Sequence, residues 1–468
     1  MAARSFSMDD QRRFADLSGD CNPLHLDPVA ARRSLLGGAA VHGIHLLLWA
    51  LDALASERDL RGFSRLRVQF ERGVVVGEHV EAAWREHQNR LLGLISGPAG
   101  LAVRMSLVPA DTAHSIWSGP VSVGALSCEE HEAGDLERRT GELPLALPVA
   151  WQTLFPRLAA TFPAGIAAAL LATTRLVGMQ CPGLHSVYAG LDLACDTAAV
   201  TGGALSYRVT RLDERVRLLE MAVDAGAIRG CVTALLRPKP YAQKSVAELR
   251  GLVIPGEFAG QEAIVVGGSR GLGELAAKLL ALGGARVTLT WNRGEADGCR
   301  IVNEAAALGL TIRAMRFDTA APPDAEQLPP APYTHLYYCA TPRIPAGQPG
   351  RFNATVFANL VDVYVAGLAR TAEWLTPRAV ANASIWCPST VFLNQPEPGF
   401  PEYIAAKACA EALCAQLSTT LAPLVFTADR LPRMATDQTQ GLVETEIADG
   451  PATILASLRC VAAKSVRA

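Results

Sequence analysis

The sequence predicts an α+β arrangement in the N-terminal part of the chain, followed by an α/β domain with a doubly wound parallel sheet. Within residues 1–240, one helical stretch followed by several strand-like runs occurs twice. From residue 261 onward, short strands and helices alternate, which is typical of a parallel sheet. A glycine-rich turn directly follows the first of these later strands.

Length and composition restrict the class of protein. A chain of 468 residues is too long for one hydrophobic core, so we expect several domains. Half of the residues are hydrophobic and the net charge is −2, which argues against disorder and against partners such as nucleic acid or an anionic membrane. The most apolar segment, 44–55, is interrupted by Asp52 and is too short to span a bilayer. Eleven cysteines without metal-type spacing predict reduced thiols, no metal site and a cytoplasmic location.

The N-terminal part reads as two related halves, residues 1–110 and 111–245. In the first half, apolar residues from position 44 follow the helical period and also fill the other face, so this helix should start near Gly43 and be buried nearly all round. In the second half, residues 111–145 read as a connector before a helix at 165–176. We predict strands at 66–70, 79–84, 91–95, 101–107, 184–193, 204–210, 216–223 and 228–236.

The third predicted domain covers residues 255–468. Residues 241–260 have the composition of an interdomain linker. Strands are predicted at 263–266, 286–290, 312–317, 335–339, 384–386 and 425–427, with helical stretches between them.

A carboxylate and an imidazole stand five residues apart in the first half, at Asp20 and His25. Adding water across an α,β double bond requires a base for the water and a proton for the α-carbon, and such a pair supplies both. Asn22 can orient a neighbour, and the free N–H groups at the start of the buried helix, near Gly43, can polarise a thioester carbonyl. The alternative is that Asp20 and Asn22 only cap a turn and that His25 is an ordinary histidine.

The segments FADLSGDCNPLHLDPVAA (14–31) and VHGIHLLL (41–48) closely resemble the R-specific enoyl-CoA hydratase family, also called hydratase 2 or MaoC-like, whose members have the hot-dog fold. The resemblance implies that Asp20 and His25 are the catalytic pair, that Asn22 supports them, and that Gly43 donates to the oxyanion. The second half lacks this loop, and Arg175, His185 and Asp192 have no comparable context. We therefore expect a double hot dog with one active site, in which the second half lines the cavity for the acyl chain and pantetheine.

The glycine-rich turn GGSRGLG (267–273) follows a predicted strand and opens a predicted helix, as in sites that bind a pyrophosphate. The second strand of this domain ends in TWNR (290–293), without the carboxylate that meets the ribose in NAD sites. The guanidinium groups of Arg270 and Arg293 could pair with a 2′-phosphate, so NADPH is favoured over NADH. The alternative is that both arginines are solvated surface charges. The predicted cofactor-binding residues are Gly267, Ser269, Arg270, Gly271, Leu272, Gly273, Asn292, Arg293, Asp318 and Ala340.

Tyr403 and Lys407 lie four positions apart in EYIAAK (402–407), so they share one helix face. A nearby ammonium lowers the pKa of a phenol, which can then pass a proton to a carbonyl oxygen as hydride arrives. Together with the glycine turn and with Ser389 or Thr390, the pattern resembles the short-chain dehydrogenase/reductase family, whose domain is Rossmann-type. The resemblance implies a catalytic role for Tyr403, Lys407 and one of these two hydroxyls.

The chain departs from that family at several positions. The threonine that usually opens the glycine motif is Val266, and the family's Asn-Asn-Ala-Gly after the fourth strand is replaced by YCAT (338–341). The helix position of the family's catalytic asparagine is Tyr364. Phosphate binding tolerates these changes better than proton transfer does, so the domain is either a reductase or a scaffold without turnover.

The two predicted chemistries act on the same β-carbon. A ketoreductase makes a 3-hydroxyacyl thioester and a dehydratase removes water from it, and their fusion raises the local concentration of the shared intermediate. We expect a bifunctional enzyme acting on an acyl-CoA or acyl-carrier-protein thioester, in polyketide or fatty-acid biosynthesis, with a homo-oligomer possible. The alternatives are dehydration alone, beside a degenerate reductase domain, and a scaffold that only binds a carrier protein or thioester.

Overall fold

The computed structural model describes residues 2–34, 36–111, 117, 119–122, 124, 126–196, 203–323, 332–345, 351–439 and 446–465. The chain divides into two compact units, the first running up to Lys239 and the second beginning at Pro240. Within these described ranges, no helix is both long and apolar enough to cross a bilayer.

The first unit is an antiparallel sheet packed against helices. Its helices are Met8–Ser18 (α1), Pro23–Leu26 (α2), Pro28–Ala31 (α3), Gly43–Leu54 (α4), Ala150–Leu154 (α5), Pro156–Thr161 (α6) and Ala164–Arg175 (α7). Its strands are Ala2–Ser5 (β1), Phe63–Phe70 (β2), His79–His87 (β3), Arg90–Gly97 (β4), Gly100–Pro109 (β5), Thr140–Pro144 (β6), Ser186–Cys195 (β7), Ala204–Asp213 (β8), Leu218–Asp224 (β9) and Ile228–Leu236 (β10).

The strand order shows that the two halves repeat one another. The sheet runs β1-β3-β4-β5-β2-β7-β10-β9-β8-β6, so each half has the same order from the edge to the centre. The halves join where β2 pairs with β7, for example Leu66 with Leu193 and Val68 with Leu191. The two predicted halves therefore share one strand order.

The predicted buried helix is α4. It begins at Gly43, and every residue from Ile44 to Leu51 is buried. Its counterpart α7 is buried along its whole length from Gly165 onward and continues as a π-helical turn, Leu176–Gln180. The predicted connector 111–145 was wrong in one respect, because it contains β6, which pairs with β8 at the edge of the sheet.

The second unit is a parallel sheet covered by helices. Its helices are Val246–Leu249 (α8), Gly271–Leu282 (α9), Glu295–Ala306 (α10), Ala354–Val361 (α11), Leu368–Leu375 (α12), Pro401–Thr420 (α13) and Gly450–Ser465 (α14). Its strands are Glu262–Val266 (β11), Arg286–Trp291 (β12), Ile312–Arg316 (β13), Tyr333–Tyr338 (β14), Ala379–Thr390 (β15) and Val425–Leu431 (β16).

The order of this sheet is β13-β12-β11-β14-β15-β16, with parallel neighbours throughout. The order reverses direction at β11 and β14, which is the arrangement of a Rossmann-type domain, where ligands bind beyond the carboxyl ends of the strands. The predicted doubly wound sheet is confirmed. The predicted linker 241–260 was wrong in part, because it contains α8 and buries Val246, Leu249 and Phe258 in apolar packing.

Candidate active sites

A short loop between α1 and α2 carries the predicted catalytic pair. Gly19 caps the C-terminal end of α1, and its positive φ of 74° turns the chain. Asn22 caps α2 by accepting from the Leu24 N–H at 2.9 Å. The Asn22 side chain also donates to the carbonyl of Gly178, at 2.8 Å, in the π-helical turn after α7. Asn22 therefore fixes the loop to the second half of the same unit.

Asp20 is buried, with 1% of its surface exposed. Its Oδ2 accepts from the Thr174 hydroxyl at 2.7 Å, and its Oδ1 lies 3.3 Å from the Asn22 N–H. Burial raises the pKa of Asp20, while His25 and the Thr174 hydrogen bond oppose the rise. A carboxyl group in this environment can carry a proton at higher pH than an exposed one.

His25 lies beside this carboxyl group. Its Nδ1 lies 2.8 Å from the Ala40 carbonyl, a contact that requires the proton on Nδ1 and leaves a lone pair on Nε2. Burial lowers the pKa of His25, and Asp20 opposes that effect. One ring nitrogen of His25 and one carboxylate oxygen of Asp20 lie within 4.8 Å of each other. The structure thus brings the two predicted residues together.

The buried His42 lies close to Asp20 and to the half-buried His25, and the three residues offer one possible metal-ligand atom each within 4.8 Å of one another. Its Nε2 lies 3.1 Å from the Asp20 carbonyl and its Nδ1 lies 2.9 Å from Gln11 Oε1. Both ring nitrogens therefore already face oxygen atoms of the chain. Its ring stacks on His25 at a centroid distance of 3.7 Å. These contacts favour a role in packing the catalytic imidazole over metal binding.

Gly43 is the first residue of α4, and no side chain caps the helix there. A Cβ at this position would lie 2.9 Å from the Phe70 ring, so any larger residue would require that ring to move. The arrangement leaves a helix N-terminus beside the catalytic loop, where backbone N–H groups favour negative charge. The role of Gly43 as oxyanion donor remains a prediction.

The second half contributes more than sequence reasoning anticipated. Thr174 in the last turn of α7 holds Asp20, and a Cβ at Gly178 would lie only 2.2 Å from Asp20 Oδ1. Of the residues without catalytic context, Arg175 is buried and donates to the Ser18 carbonyl at 3.2 Å, whereas Asp192 pairs with Arg65 at 2.7 Å. Thr174 stands 154 positions from Asp20, so no local motif could have revealed the contact.

The glycine-rich turn of the second unit lies between β11 and α9. Gly267 has a φ of +77°, and a Cβ there would lie 2.7 Å from the Ala340 nitrogen. Gly271 has a φ of +58°, and a Cβ there would meet no atom closer than 3.7 Å. The turn is thus tight on the side of β14 and open at the start of α9, where no side chain caps the helix. An open, uncapped helix N-terminus fits a pyrophosphate.

The other predicted cofactor residues differ in exposure and in the contacts that they make. Arg270 lies 3.5 Å from the carboxylate of Asp437, and Asn292 and Arg293 are exposed just after β12. Asp318 Oδ1 accepts from the Ala320 N–H at 3.0 Å. Arg293 is therefore accessible to a phosphate, whereas Arg270 would have to share its charge with Asp437. Within the turn, Ser269 is buried and Leu272 already belongs to α9.

Tyr403 and Lys407 lie in α13, and Ser389 and Thr390 end β15. Burial raises the pKa of Tyr403 to about 12, and a side-chain hydrogen bond with Thr390 opposes the rise. Ser389 instead donates to Glu411 at 2.5 Å. Of the two predicted hydroxyls, the structure therefore brings Thr390, and not Ser389, to the tyrosine.

The Lys407 ammonium has partners of its own. Its Nζ donates to the Pro388 carbonyl at 2.7 Å and lies 3.9 Å above the centre of the Tyr364 ring. The Tyr364 hydroxyl lies 2.6 Å from the Thr341 hydroxyl. Burial lowers the pKa of Lys407. The residue that replaces the expected asparagine thus provides an aromatic face for the lysine.

Two family models match the chain, one in each unit. The family model described as "MaoC like domain" matches residues 2–95, and the model described as "short chain dehydrogenase" matches residues 261–427. No curated protein matches the chain.

Several solved structures are similar to part of the chain. A dehydrogenase/reductase from Sinorhizobium meliloti 1021 is 21% identical, with a TM-score of 0.38, and the match covers 46% of this chain and 91% of that one. A short chain dehydrogenase from Burkholderia cenocepacia J2315, in complex with NADP, is 21% identical with a TM-score of 0.39, covering 44% and 91%. Angucycline C-6 ketoreductase LanV, with bound NADP, is 16% identical with a TM-score of 0.40, covering 45% and 91%. From the two family models, the chain is a fusion of a MaoC-like domain with a short-chain dehydrogenase domain.

Proposed function

We propose that the first unit interconverts (R)-3-hydroxyacyl and enoyl thioesters, and that the second unit reduces 3-ketoacyl thioesters with NADPH. The observation that carries the proposal is the pairing of the buried Asp20 with the half-buried His25, which have a carboxylate oxygen and a ring nitrogen within 4.8 Å of each other beside the start of α4. We interpret the two repeated halves as a double hot dog with one active site. The second half then acts as the partner that holds Asp20 in place.

The dehydration can be written with one proton on the catalytic pair. His25 Nε2 accepts the proton from C2 of the thioester, and the protonated Asp20 donates its proton to the hydroxyl on C3. The C3–O bond breaks, water leaves, and a double bond forms between C2 and C3. The pair ends as a carboxylate and an imidazolium, which is the state that hydration needs in the opposite direction.

Charge develops on the thioester carbonyl when the C2 proton leaves. The N-terminus of α4 at Gly43 can stabilise that charge, because backbone N–H groups there have no partners within the helix. Asn22 holds the catalytic loop in place by donating a hydrogen bond to the Gly178 carbonyl. This arrangement would let Asp20 and His25 contact C3 and C2 of the substrate at the same time.

For the second unit, the open turn at Gly271 fits a pyrophosphate and the exposed Arg293 fits a 2′-phosphate. NADPH supplies the hydride when bound. Tyr403 can give its proton to the ketone oxygen, and Thr390 can orient the phenol. The reductive direction suits biosynthesis, so the substrate is best described as a fatty-acyl or polyketide thioester carried by CoA or a carrier protein.

One observation favours a second candidate function, in which only the first unit is catalytic. The Lys407 ammonium is engaged by the Pro388 carbonyl and by the face of Tyr364, and the pKa of Tyr403 is raised to about 12. A lysine held in this way does little to acidify the phenol. The second unit would then bind the nucleotide or serve as a scaffold.

The experiment that tests the proposal is product analysis by mass spectrometry. Acetoacetyl-CoA incubated with the protein and NADPH should give hydroxybutyryl and crotonyl thioesters together. We expect Asp20→Asn to stop at the alcohol and Tyr403→Phe to leave the ketone unchanged while it still hydrates crotonyl-CoA. If wild-type protein hydrates crotonyl-CoA but does not consume NADPH, the second candidate function is correct. If Asp20→Asn hydrates at the wild-type rate, the site is wrongly assigned.

A further inference from the structure

Arg237 follows β10 and is a buried cation that the proposed chemistry does not use. Only 8% of its surface is exposed. Its Nη2 donates to the Leu184 carbonyl at 2.6 Å, and its Nε is buried without a hydrogen-bond partner. A guanidinium group has several N–H donors in a planar fork, so most of its capacity remains available.

The neighbouring carboxylates do not neutralise this charge. The segment before the second half's strands places Glu129 against Leu184, whose N–H donates to the Glu129 carbonyl at 2.8 Å. The Glu129 carboxylate is bound by Arg139 at 2.6 Å, and Glu130 is bound by Lys239 at 2.9 Å. Among the residues that the structure describes, no carboxylate forms an ion pair with Arg237.

Arg237 lies next to the catalytic loop. The Leu184 carbonyl that accepts from Arg237 also lies 3.3 Å from Asn22 Nδ2, so the guanidinium and the loop share one oxygen atom. Arg237 is among the groups that lower the pKa of His25. Its positive charge therefore reaches the catalytic imidazole.

A buried charge without a counter-charge is costly, because the charged group loses its hydration. Arg237 and the catalytic loop contact the same Leu184 carbonyl. A positive charge at this position is explained if an anionic group of the substrate binds there. We propose that Arg237 binds an oxyanion group of the thioester substrate, through the planar, bidentate contact that guanidinium groups make with carboxylates and phosphates. The inference rests on the proposed thioester function of the first unit.

Two parts of a thioester could supply this oxyanion, namely a carboxylate on the acyl chain and the phosphate of the pantetheine arm. Saturated thioesters, which cannot react at the double bond, distinguish the two sources. Butyryl-CoA carries phosphate, glutaryl-N-acetylcysteamine carries only a carboxylate, and butyryl-N-acetylcysteamine is neutral. The dissociation constants of all three are measured by calorimetry for the full chain and for Arg237→Gln.

We expect Arg237→Gln to weaken binding of one anionic thioester by about tenfold or more, and to leave the neutral one unchanged. Loss confined to butyryl-CoA assigns the site to phosphate, and loss confined to the glutaryl compound assigns it to an acyl carboxylate. The proposal is overturned if each thioester binds Arg237→Gln as tightly as wild type, or if the substitution weakens binding of all three thioesters equally. Arg237→Lys should recover part of the affinity, because it keeps the charge but not the fork.

The matched control is Arg229→Gln, which removes an exposed arginine of the same strand that is paired with Asp224 at 2.7 Å. This variant should bind all three thioesters as wild type does. Circular dichroism and thermal unfolding of Arg237→Gln, compared with wild type, report correct folding. Turnover of crotonyl-N-acetylcysteamine by the wild-type protein separates the two hypotheses, since an inactive wild-type protein would contradict the proposed function, whereas the calorimetry tests Arg237 by itself.

Discussion

The Asp20–His25 pair illustrates how burial can prepare two residues for opposite tasks. Burial raises the pKa of Asp20 above its ordinary value of 3.8 and lowers that of His25 below its ordinary value of 6.5. The two values therefore move toward each other, so the two states in which the pair holds one proton, on Asp20 or on His25, become closer in free energy. Such a pair can release its proton at either end, as a reversible hydration requires.

Thr174 should control this balance, since its hydroxyl donates to the Asp20 carboxylate at 2.7 Å. Dehydration should follow a bell-shaped pH dependence, rising as His25 loses its proton and falling as Asp20 loses its own. Thr174→Val removes a contact that stabilises the ionised carboxylate, so the pKa of Asp20 rises. We expect the alkaline limb to move to higher pH and kcat to fall by about tenfold, measured over a pH series.

Two variants control this prediction. Thr174→Ser keeps the hydroxyl and should restore the wild-type pH profile. Thr173→Val changes the neighbouring residue, whose hydroxyl bonds to the Leu170 carbonyl of its own helix, and should leave the profile unmoved. A Thr174→Val enzyme with a reduced rate but an unshifted alkaline limb would show that the hydroxyl acts only on packing.

At the scale of elements, the π-helical turn Leu176–Gln180 presents backbone, and not side chain, to the catalytic loop. Gly178 sits so close to Asp20 that a Cβ would lie 2.2 Å from Oδ1, and its carbonyl accepts from Asn22. The π-helical turn of the second half therefore packs closely against the catalytic loop of the first half. Its glycine gives the carboxylate the space that it occupies.

Gly178→Ala should displace the Asp20 carboxylate from His25. Because catalysis depends steeply on the placement of reacting groups, we expect kcat for hydration of crotonyl-CoA to fall by about a hundredfold. Gly134→Ala is the matched control, since a Cβ at Gly134 would meet no atom within 4 Å. Equal rates for Gly178→Ala and Gly134→Ala would contradict the account of this turn.

At the scale of the molecule, the first unit depends on both halves through the β2–β7 pairing. A fragment of residues 1–110 would expose β2 as an unpaired edge and would lack Thr174. We expect this fragment to self-associate in size-exclusion chromatography and to lack hydratase activity. Co-expression with residues 120–239 should prevent the self-association and restore hydratase activity. An active, monomeric 1–110 fragment would contradict the dependence.

The sequence was informative where function depends on local spacing. Asp20 and His25 were found because they stand in one loop, and α4 was found because its apolar residues follow a helical period. Thr174, Gly178 and Arg237 were missed because their roles come from contacts between segments far apart in the chain. The choice between Ser389 and Thr390 also required coordinates, since β15 alternates their directions.

The repeated strand order of the first unit has a consequence for its history and its binding capacity. Matching halves joined at a central strand pair are what a tandem duplication of one smaller domain would leave. Only one copy retains the acid–base loop, so each polypeptide should be saturated by a single thioester equivalent at its hydratase site. Freed from catalysis, the other copy could evolve the groups that now brace Asp20.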